Sequence, residues 1–517
     1  MRFSKLARQA TKMNVADLFR KQACIRSEHI AYVQDDIALT FGQLDGRTNK
    51  LANALLESGV GEGDRIAILS ENTTEFLDLF FAAAKIGAIV APQNWRLTNT
   101  ELEHCLDLVQ PKIIFVSNRF RENLVASIHG RYLDIQFGEG FENFIEAGAN
   151  RDPEAEIDSE EGLLIVYTSG TTGLPKGALI SQQALIARAQ QYCTEFGIDH
   201  EDTFFAYSPL FHIASADLAI ATLIIGGKVI PCDGLEPKMM RRLLKEEKLS
   251  NLIFFPGMVD NVLKELALMD GPIRSLKKFG ALADLFPPQE IAAMTSALNK
   301  EYTNTYASTE TGMAPGCGGR IPVGVAPTTF SKTESNFCRV RLVDEEDKDV
   351  ADGQTGELLM RGPTLFTGYW RNDEATEEVF AGGWYHTGDL FRRNSDGTLD
   401  YIDRKKYLIK SGGENIYPAE IERVVLQNPN VAEALVVRQP DPKWGEVPVL
   451  VATCRDSNIS ERNLIESCEN YLAKYKCPKA VFFVPSDFWP RNNTGKIVRK
   501  TVENWVTERM SKGEAAG

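Results

Sequence analysis

The chain of 517 residues has no apolar run that reaches the roughly 18 residues of a membrane-spanning helix. Its most apolar stretch, residues 218–227, is short and bracketed by Asp217 and Lys228, so it is expected in a core. Histidine is scarce: there are six, none paired at metal-ligand spacing, which argues against a structural zinc site. The nine cysteines form no CxxC pair, and an odd, scattered set reads as reduced thiols of a cytoplasmic protein. Basic excess is missing too: 57 Lys and Arg against 71 Asp and Glu give a net charge of −14. Such a chain is not expected to coat nucleic acid or to insert stably into a membrane. No internal repeat of about 20–50 residues is visible. Arg2, Lys5, Arg8 and Lys12 precede the first acid, Asp17, but the apolar segment of a secretory leader does not follow. An amphipathic helix running to Ala23 is expected instead.

What is present is ordinary globular composition, 43% hydrophobic and 25% charged, in a chain long enough for about two to four domains. Helical periods over residues 41–58 and 75–85 alternate with short apolar runs at 65–69, 87–91, 112–116 and 163–167. That alternation predicts an α/β fold with mostly parallel sheets. Residues 337–344 and 356–361 are more β-like and predict a smaller β-rich subdomain. Toward the C-terminus, helices at 418–427 and 459–474 and strands at 431–437, 447–453 and 481–484 form a separate compact unit. The charged stretch 403–406 is the expected boundary, giving a large domain 1–403 and a small α+β domain 404–517.

The densest chemical signal is residues 167–177, Tyr-Thr-Ser-Gly-Thr-Thr-Gly-Leu-Pro-Lys-Gly. Gly170, Gly173 and Gly177 permit tight turns whose backbone N–H groups can face an anion. Thr168, Ser169, Thr171 and Thr172 add hydroxyls and Lys176 a point charge, which suits a polyphosphate. The pattern is not a Walker A loop, because GxxxxGK[ST] does not fit.

This loop resembles the signature of the adenylate-forming superfamily of acyl-CoA synthetases, luciferases and adenylation domains. Further stretches match in order: Pro209-Leu-Phe-His212, Tyr306-Ala-Ser-Thr-Glu310, Gly356-Glu-Leu, Gly368-Tyr-Trp370 and Trp384-Tyr-His-Thr-Gly-Asp389. They continue with Tyr401-Ile-Asp-Arg404, Ser411-Gly-Gly-Glu-Asn-Ile416 and Asn493-Thr-Gly-Lys496. The resemblance implies a large domain of two mixed sheets sandwiched by helices plus a β-rich subdomain, with a small mobile domain behind it. It also implies a reaction in which a carboxylic acid attacks Mg-ATP to give acyl-adenylate and pyrophosphate, after which CoA displaces AMP.

Carried over by position, the resemblance assigns the β- and γ-phosphates to Thr168, Ser169, Gly170, Thr171, Thr172, Gly173 and Lys176. Thr309 then meets the α-phosphate and Glu310 the Mg²⁺, while Asp389 takes the ribose hydroxyls and Arg404 reaches the ribose or phosphate. Tyr306, Ala307 and Tyr401 line the nucleotide site, and Lys496 bridges carboxylate and α-phosphate as they meet. His212 gates carboxylate against thiol. Ser411, Gly412, Gly413 and Trp444 border a pantetheine tunnel, and Lys406 is the hinge about which the small domain turns.

Three stretches depart from the family pattern. Residues 280–285, Gly-Ala-Leu-Ala-Asp-Leu, replace a Gly-Gly-Ala-Pro-like segment, leaving Asp284 to meet a polar acyl group or solvent. Ala307 stands where Gly is common, and residues 319–325 match the family loosely. All three bear on substrate shape. The expectation is thus an AMP-forming acyl-CoA synthetase for a mainly apolar acid, with a homodimer allowed. A stand-alone enzyme that loads a carrier-protein thiol is the alternative, and nothing in the sequence favours a luciferase-type oxygenase.

Overall fold

The computed structural model describes residues 10–128, 130–169, 175–255, 257–455, 459–491 and 497–512. Within them the chain forms two large mixed sheets, a four-stranded antiparallel sheet, a two-stranded hairpin and a C-terminal five-stranded sheet. The seven-stranded sheet runs Gly368–Tyr369, Pro175–Ser181, Gly162–Ser169, Ile89–Pro92, Arg65–Leu69, Ile113–Val116, Leu133–Gln136. It is parallel except for the hairpin of β1 (Gly162–Ser169) with β2 (Pro175–Ser181) and the short strand beside β2. The six-stranded sheet is parallel apart from its Ile30–Gln34 and Ile37–Thr40 hairpin.

The helix Thr74–Ile86 packs against strands of both large sheets because it is mostly apolar all round, with its buried Asp78 and Lys85 paired to Arg47 and Asp45. Every residue of Thr74–Ile86 except Glu75 is buried, Phe76, Phe80 and Phe81 completely. At roughly 2 kcal/mol for each fully buried large side chain, this helix alone fastens the sheets firmly. The apolar stretch around 218–227 behaves likewise, inside the buried helix Ile213–Ile225. The expected N-terminal helix is Val15–Ile25, started by a capping box between Asn14 and Asp17, and residues 1–9 lie outside the described residues. Among the described residues no helix is long and apolar enough to cross a membrane.

The structural elements that frame the site come late in the chain. Helix α1 (Gln182–Phe196) follows the β1–β2 hairpin, and helix α2 is Ile213–Ile225. Strands β3 (Tyr302–Ser308) and β4 (Gly312–Ile321) form an antiparallel hairpin with Tyr306 opposite Gly316. Strands β5 (Tyr385–Arg393) and β6 (Leu399–Arg404) form one edge of the four-stranded sheet, with Asp389 opposite Arg404. After β6 a single turn, Lys405–Tyr407, leads into the C-terminal sheet at Ile409–Ser411. That sheet has its own core of Ile421, Val436, Leu450 and Val481 beneath helix α3 (Pro418–Val425).

Candidate active site

The turn between β3 and β4 carries Thr309 and Glu310. It is closed by reciprocal hydrogen bonds, Ser308 N–H to Thr311 Oγ1 and Thr311 N–H to Ser308 Oγ, both 3.2 Å. Gly312 follows with φ +68, a backbone conformation that suits glycine, and a Cβ there would stand 2.8 Å from Arg188 Nε. The Glu310 carbonyl accepts from Phe366 N–H at 2.8 Å, while its Oε1 accepts from the Tyr369 hydroxyl at 3.1 Å. The Tyr369 ring also lies under Lys176, whose Nζ is 5.2 Å from the ring centroid. Thus the last cation of the glycine-rich loop and the expected metal carboxylate meet on one aromatic side chain. Thr168 and Lys176 face each other at the base of the β1–β2 hairpin, and Ser169 ends β1 opposite Pro175. Gly170, Thr171, Thr172 and Gly173 lie outside the described residues.

A second cluster forms where β3 meets β5 and β6. Tyr306 donates a short hydrogen bond to Asp389 Oδ2, and Arg404 Nε lies 3.3 Å from Asp389 Oδ1. Burial, then the Asp389 charge, pushes the Tyr306 phenol well above its ordinary range. The Asp389 carboxylate likewise holds the Arg404 guanidinium charged. The Tyr306 ring stacks on Tyr401 at 6.4 Å and meets Phe391 edge-on at 5.1 Å. Ala307, next on the strand, is exposed. A carboxylate fixed between a phenol and a guanidinium in the middle of β5 is a ready acceptor for a vicinal diol.

His212 caps helix α2, its Nδ1 accepting from Ala214 N–H at 3.3 Å, just after the buried Phe211 whose ring meets Trp95 edge-on. Phe211, Ile213, Met313 and Ala283 are all buried apolar groups. The Asp284 carboxylate is not left to solvent: it pairs with fully buried Lys332 at 2.6 Å and its side chain is only 8% exposed.

On the C-terminal unit, Gly412 N–H donates to the Trp444 carbonyl at 2.7 Å, and a Cβ on Gly412 would strike the indole at 2.8 Å. Gly413 has open space around it, Ser411 is buried, and Trp444 is 44% exposed with Lys443 over its ring. Gly412, Gly413 and Trp444 therefore form one solvent-facing patch, with Ser411 buried beside it. Lys406 sits in the connecting turn, where burial and then Arg404 lower its pKa. Its carbonyl accepts from Arg438 at 2.8 Å. Strand β6, just before the turn, is tied to α3 by Ala419 N–H to Asp403 Oδ2 at 2.8 Å and by Arg423 to the Tyr401 carbonyl at 3.2 Å. Lys496 lies outside the described residues, but Arg499 just after it pairs with Glu422 at 2.9 Å and covers the Tyr407 ring.

Comparison with known proteins decides the family. A family model described as AMP-binding enzyme matches residues 19–370, and one for the AMP-binding enzyme C-terminal domain matches residues 420–496. The chain belongs to the AMP-binding enzyme family. It is 30% identical to the long-chain-fatty-acid–CoA ligase FadD13 of Mycobacterium tuberculosis, over 96% of this chain and 100% of that protein. It is 32% identical to a feruloyl-CoA synthase of an Amycolatopsis species, over 90% of this chain and 93% of that one. Among solved structures, the o-succinylbenzoate CoA synthetase MenE of Bacillus subtilis, in complex with its acyl-adenylate intermediate, superposes with a TM-score of 0.81. It is 25% identical, covering 94% of this chain and 97% of that one. The α/β architecture expected from sequence is the one observed.

Two supporting residues carry no sequence signal. Tyr369 stands inside the Gly368-Tyr-Trp370 motif, but only the fold brings its phenol to the Glu310 carboxylate. Arg188 lies on α1 outside every motif, yet it is fully buried.

Proposed function

We propose that this enzyme is an AMP-forming acid–thiol ligase that joins a mainly apolar carboxylic acid to CoA through an acyl-adenylate. The observation that carries the reading is Tyr369 joining Lys176 to Glu310, while Asp389 stands ready for a ribose. In the first step a carboxylate oxygen bonds to the α-phosphorus of ATP and pyrophosphate leaves. Two anions must approach, so cations and fixed donors do more than a protein nucleophile could. Lys176 and the loop hold the outer phosphates, Thr309 the α-phosphate, and Asp389 with Arg404 the ribose. Lys496 neutralises charge between the reacting groups.

Mg²⁺ fits this site by donor chemistry. Glu310 offers one half-exposed carboxylate, and an ion of this kind takes its other ligands from phosphate oxygens and water. Among the described residues no cluster of three or more metal-ligating side chains exists, so the phosphates are needed to complete the shell. Bound there, the ion would spread the negative charge of the phosphates.

In the second step the CoA thiolate attacks the acyl carbon and AMP leaves with its electron pair. Gly412, Gly413 and Trp444 serve this step, after the 404–517 unit turns about Lys406 relative to 1–403. His212, at the head of the buried α2, separates the acid from the thiol path. The apolar side chains of Phe211, Ile213, Met313 and Ala283 favour an acid without a second charge, since a buried unpaired charge is costly. All nine cysteines are free thiols, in keeping with a cytoplasmic enzyme.

The test is pyrophosphate and AMP release across short, long, aromatic and alicyclic acids, with CoA or a carrier-protein thiol. Thioester formation on CoA, with monocarboxylates favoured over their dicarboxylate analogues, is expected. ADP formed in step with thioester would overturn the mechanism, and turnover only with a carrier protein would overturn the acceptor.

A further inference from the structure

Arg188 is fully buried on α1, yet it faces two distant segments, one of them the Tyr306–Glu310 motif. Its Nε donates to the Thr364 carbonyl at 2.9 Å and its Nη2 to the Thr309 carbonyl at 3.1 Å. These carbonyls flank Glu310 in space. Thr309 precedes it, and Thr364 opens the segment whose Phe366 N–H holds the Glu310 carbonyl and whose Tyr369 hydroxyl holds its carboxylate. One planar guanidinium thus sets the spacing between a carboxylate and its own hydrogen-bond donor. Gly312 leaves room for it, since a Cβ would come within 2.8 Å of Nε.

Arg188 is balanced by Asp217 on α2, Nη1 to Oδ2 at 3.6 Å, and Asp217 Oδ2 also accepts from Tyr192 at 3.2 Å. Arg188 Nη1 and Asp217 Oδ1 make no hydrogen bond. A buried ion pair with unsatisfied atoms is a poor way to gain stability, and apolar residues of the same size often serve as well or better. The fork that spans two carbonyls is what an apolar pair could not supply.

We propose that Arg188 is a positioning residue for Mg²⁺–ATP: it holds the Thr309 and Thr364 carbonyls so that Glu310 presents its carboxylate to the metal–nucleotide pair. This rests on the metal role of Glu310 proposed above. Arg188→Lys keeps the charge opposite Asp217 but cannot bridge both carbonyls in the same plane. Arg188→Met with Asp217→Leu removes both charges and guards against loss of fold.

The experiment is calorimetric titration of a non-hydrolysable ATP analogue into the full-length protein, with Mg²⁺ and with EDTA, beside melting curves. Wild type should bind more tightly with Mg²⁺, and both Arg188 variants should lose that gain by about tenfold, within the usual range of coupling between two ligands. Affinity in EDTA should stay within about twofold, because only the metal's share of the coupling is removed. Conversion of supplied acyl-adenylate and CoA to thioester should persist in both variants. Glu310→Gln is the control. If it leaves the Mg²⁺ gain intact, the metal role of Glu310 falls and the Arg188 proposal falls with it. If Glu310→Gln abolishes the gain while both Arg188 variants keep it, Arg188 is overturned and Glu310 stands. Equal depression of both half-reactions with the Mg²⁺ gain retained would make Arg188 merely structural, and would also overturn the proposal.

Discussion

The Tyr369 hydroxyl donates to the Glu310 carboxylate over 3.1 Å, linking the end of the glycine-rich loop to the β3–β4 turn. Because Lys176 lies over the same ring, the proposed phosphate-binding and metal-binding residues share one scaffold side chain. A carboxylate held this way is pre-aimed and needs little reorganisation when the nucleotide arrives.

Glu310→Gln should therefore lose adenylation by at least ~10²-fold, the scale of one preorganised electrostatic contact. Tyr369→Phe keeps the ring under Lys176 and should cost only about 10-fold, one charge-assisted hydrogen bond. Pyrophosphate exchange across a Mg²⁺ titration checks both. Near-normal rates for Glu310→Gln would remove it from the metal site.

Lys278 gives a pH prediction. It is fully buried, its recorded partners are the Asn251 and Gly280 carbonyl oxygens and the Phe196 ring, and burial lowers its pKa to about 7. The unfolded chain, with lysine near 10.5, binds a proton that the folded chain releases between those values. Its contribution to stability therefore rises with pH from about 7 to 10. Lys278→Met should flatten that rise and stabilise the protein at neutral pH by on the order of 1–4 kcal/mol. Urea denaturation at several pH values reads it. An unchanged slope would mean that Lys278 stays charged in the fold.

The Asp284–Lys332 pair should behave as a unit, since both side chains are buried and 2.6 Å apart. Removing one partner, as in Asp284→Ala, should cost about 3–5 kcal/mol, because it leaves a buried charge alone. Asp284→Ala with Lys332→Met should recover most of that loss. Melting temperatures of the singles and the double decide it: additive losses would show that the two do not interact.

Helix Phe41–Glu57 was legible because Leu44, Leu51, Ala54 and Leu55 repeat with a helical period, and the structure adds a capping box of Thr40 and Gln43. The parallel strands were legible as short apolar runs between helices. Strand β4 was not: its sequence, Gly-Met-Ala-Pro-Gly-Cys-Gly-Gly-Arg-Ile, has poor strand propensity. It pairs with β3 because its neighbours leave no room for side chains. A Cβ at Gly318 would lie 2.9 Å from Thr333 and one at Gly319 2.5 Å from the Ser331 carbonyl. The site motifs were legible as residue types in order. The supports behind them, Arg188 on one helix and Lys332 far along the chain from Asp284, depend on tertiary proximity and leave no local pattern.

In the proposed mechanism the small domain uses different faces for the two half-reactions. Gly413 looks into open space and Trp444 is exposed, as the proposed meeting with a thiol arm requires. The proposed role of Lys496 is confined to the step in which carboxylate meets phosphate. The most direct measurement assays each half-reaction separately on Lys496→Ala and Gly413→Leu. Lys496→Ala should abolish adenylate formation yet still convert supplied acyl-adenylate and CoA to thioester, and Gly413→Leu should do the reverse. Equal depression of both halves in both variants would contradict the two-face arrangement.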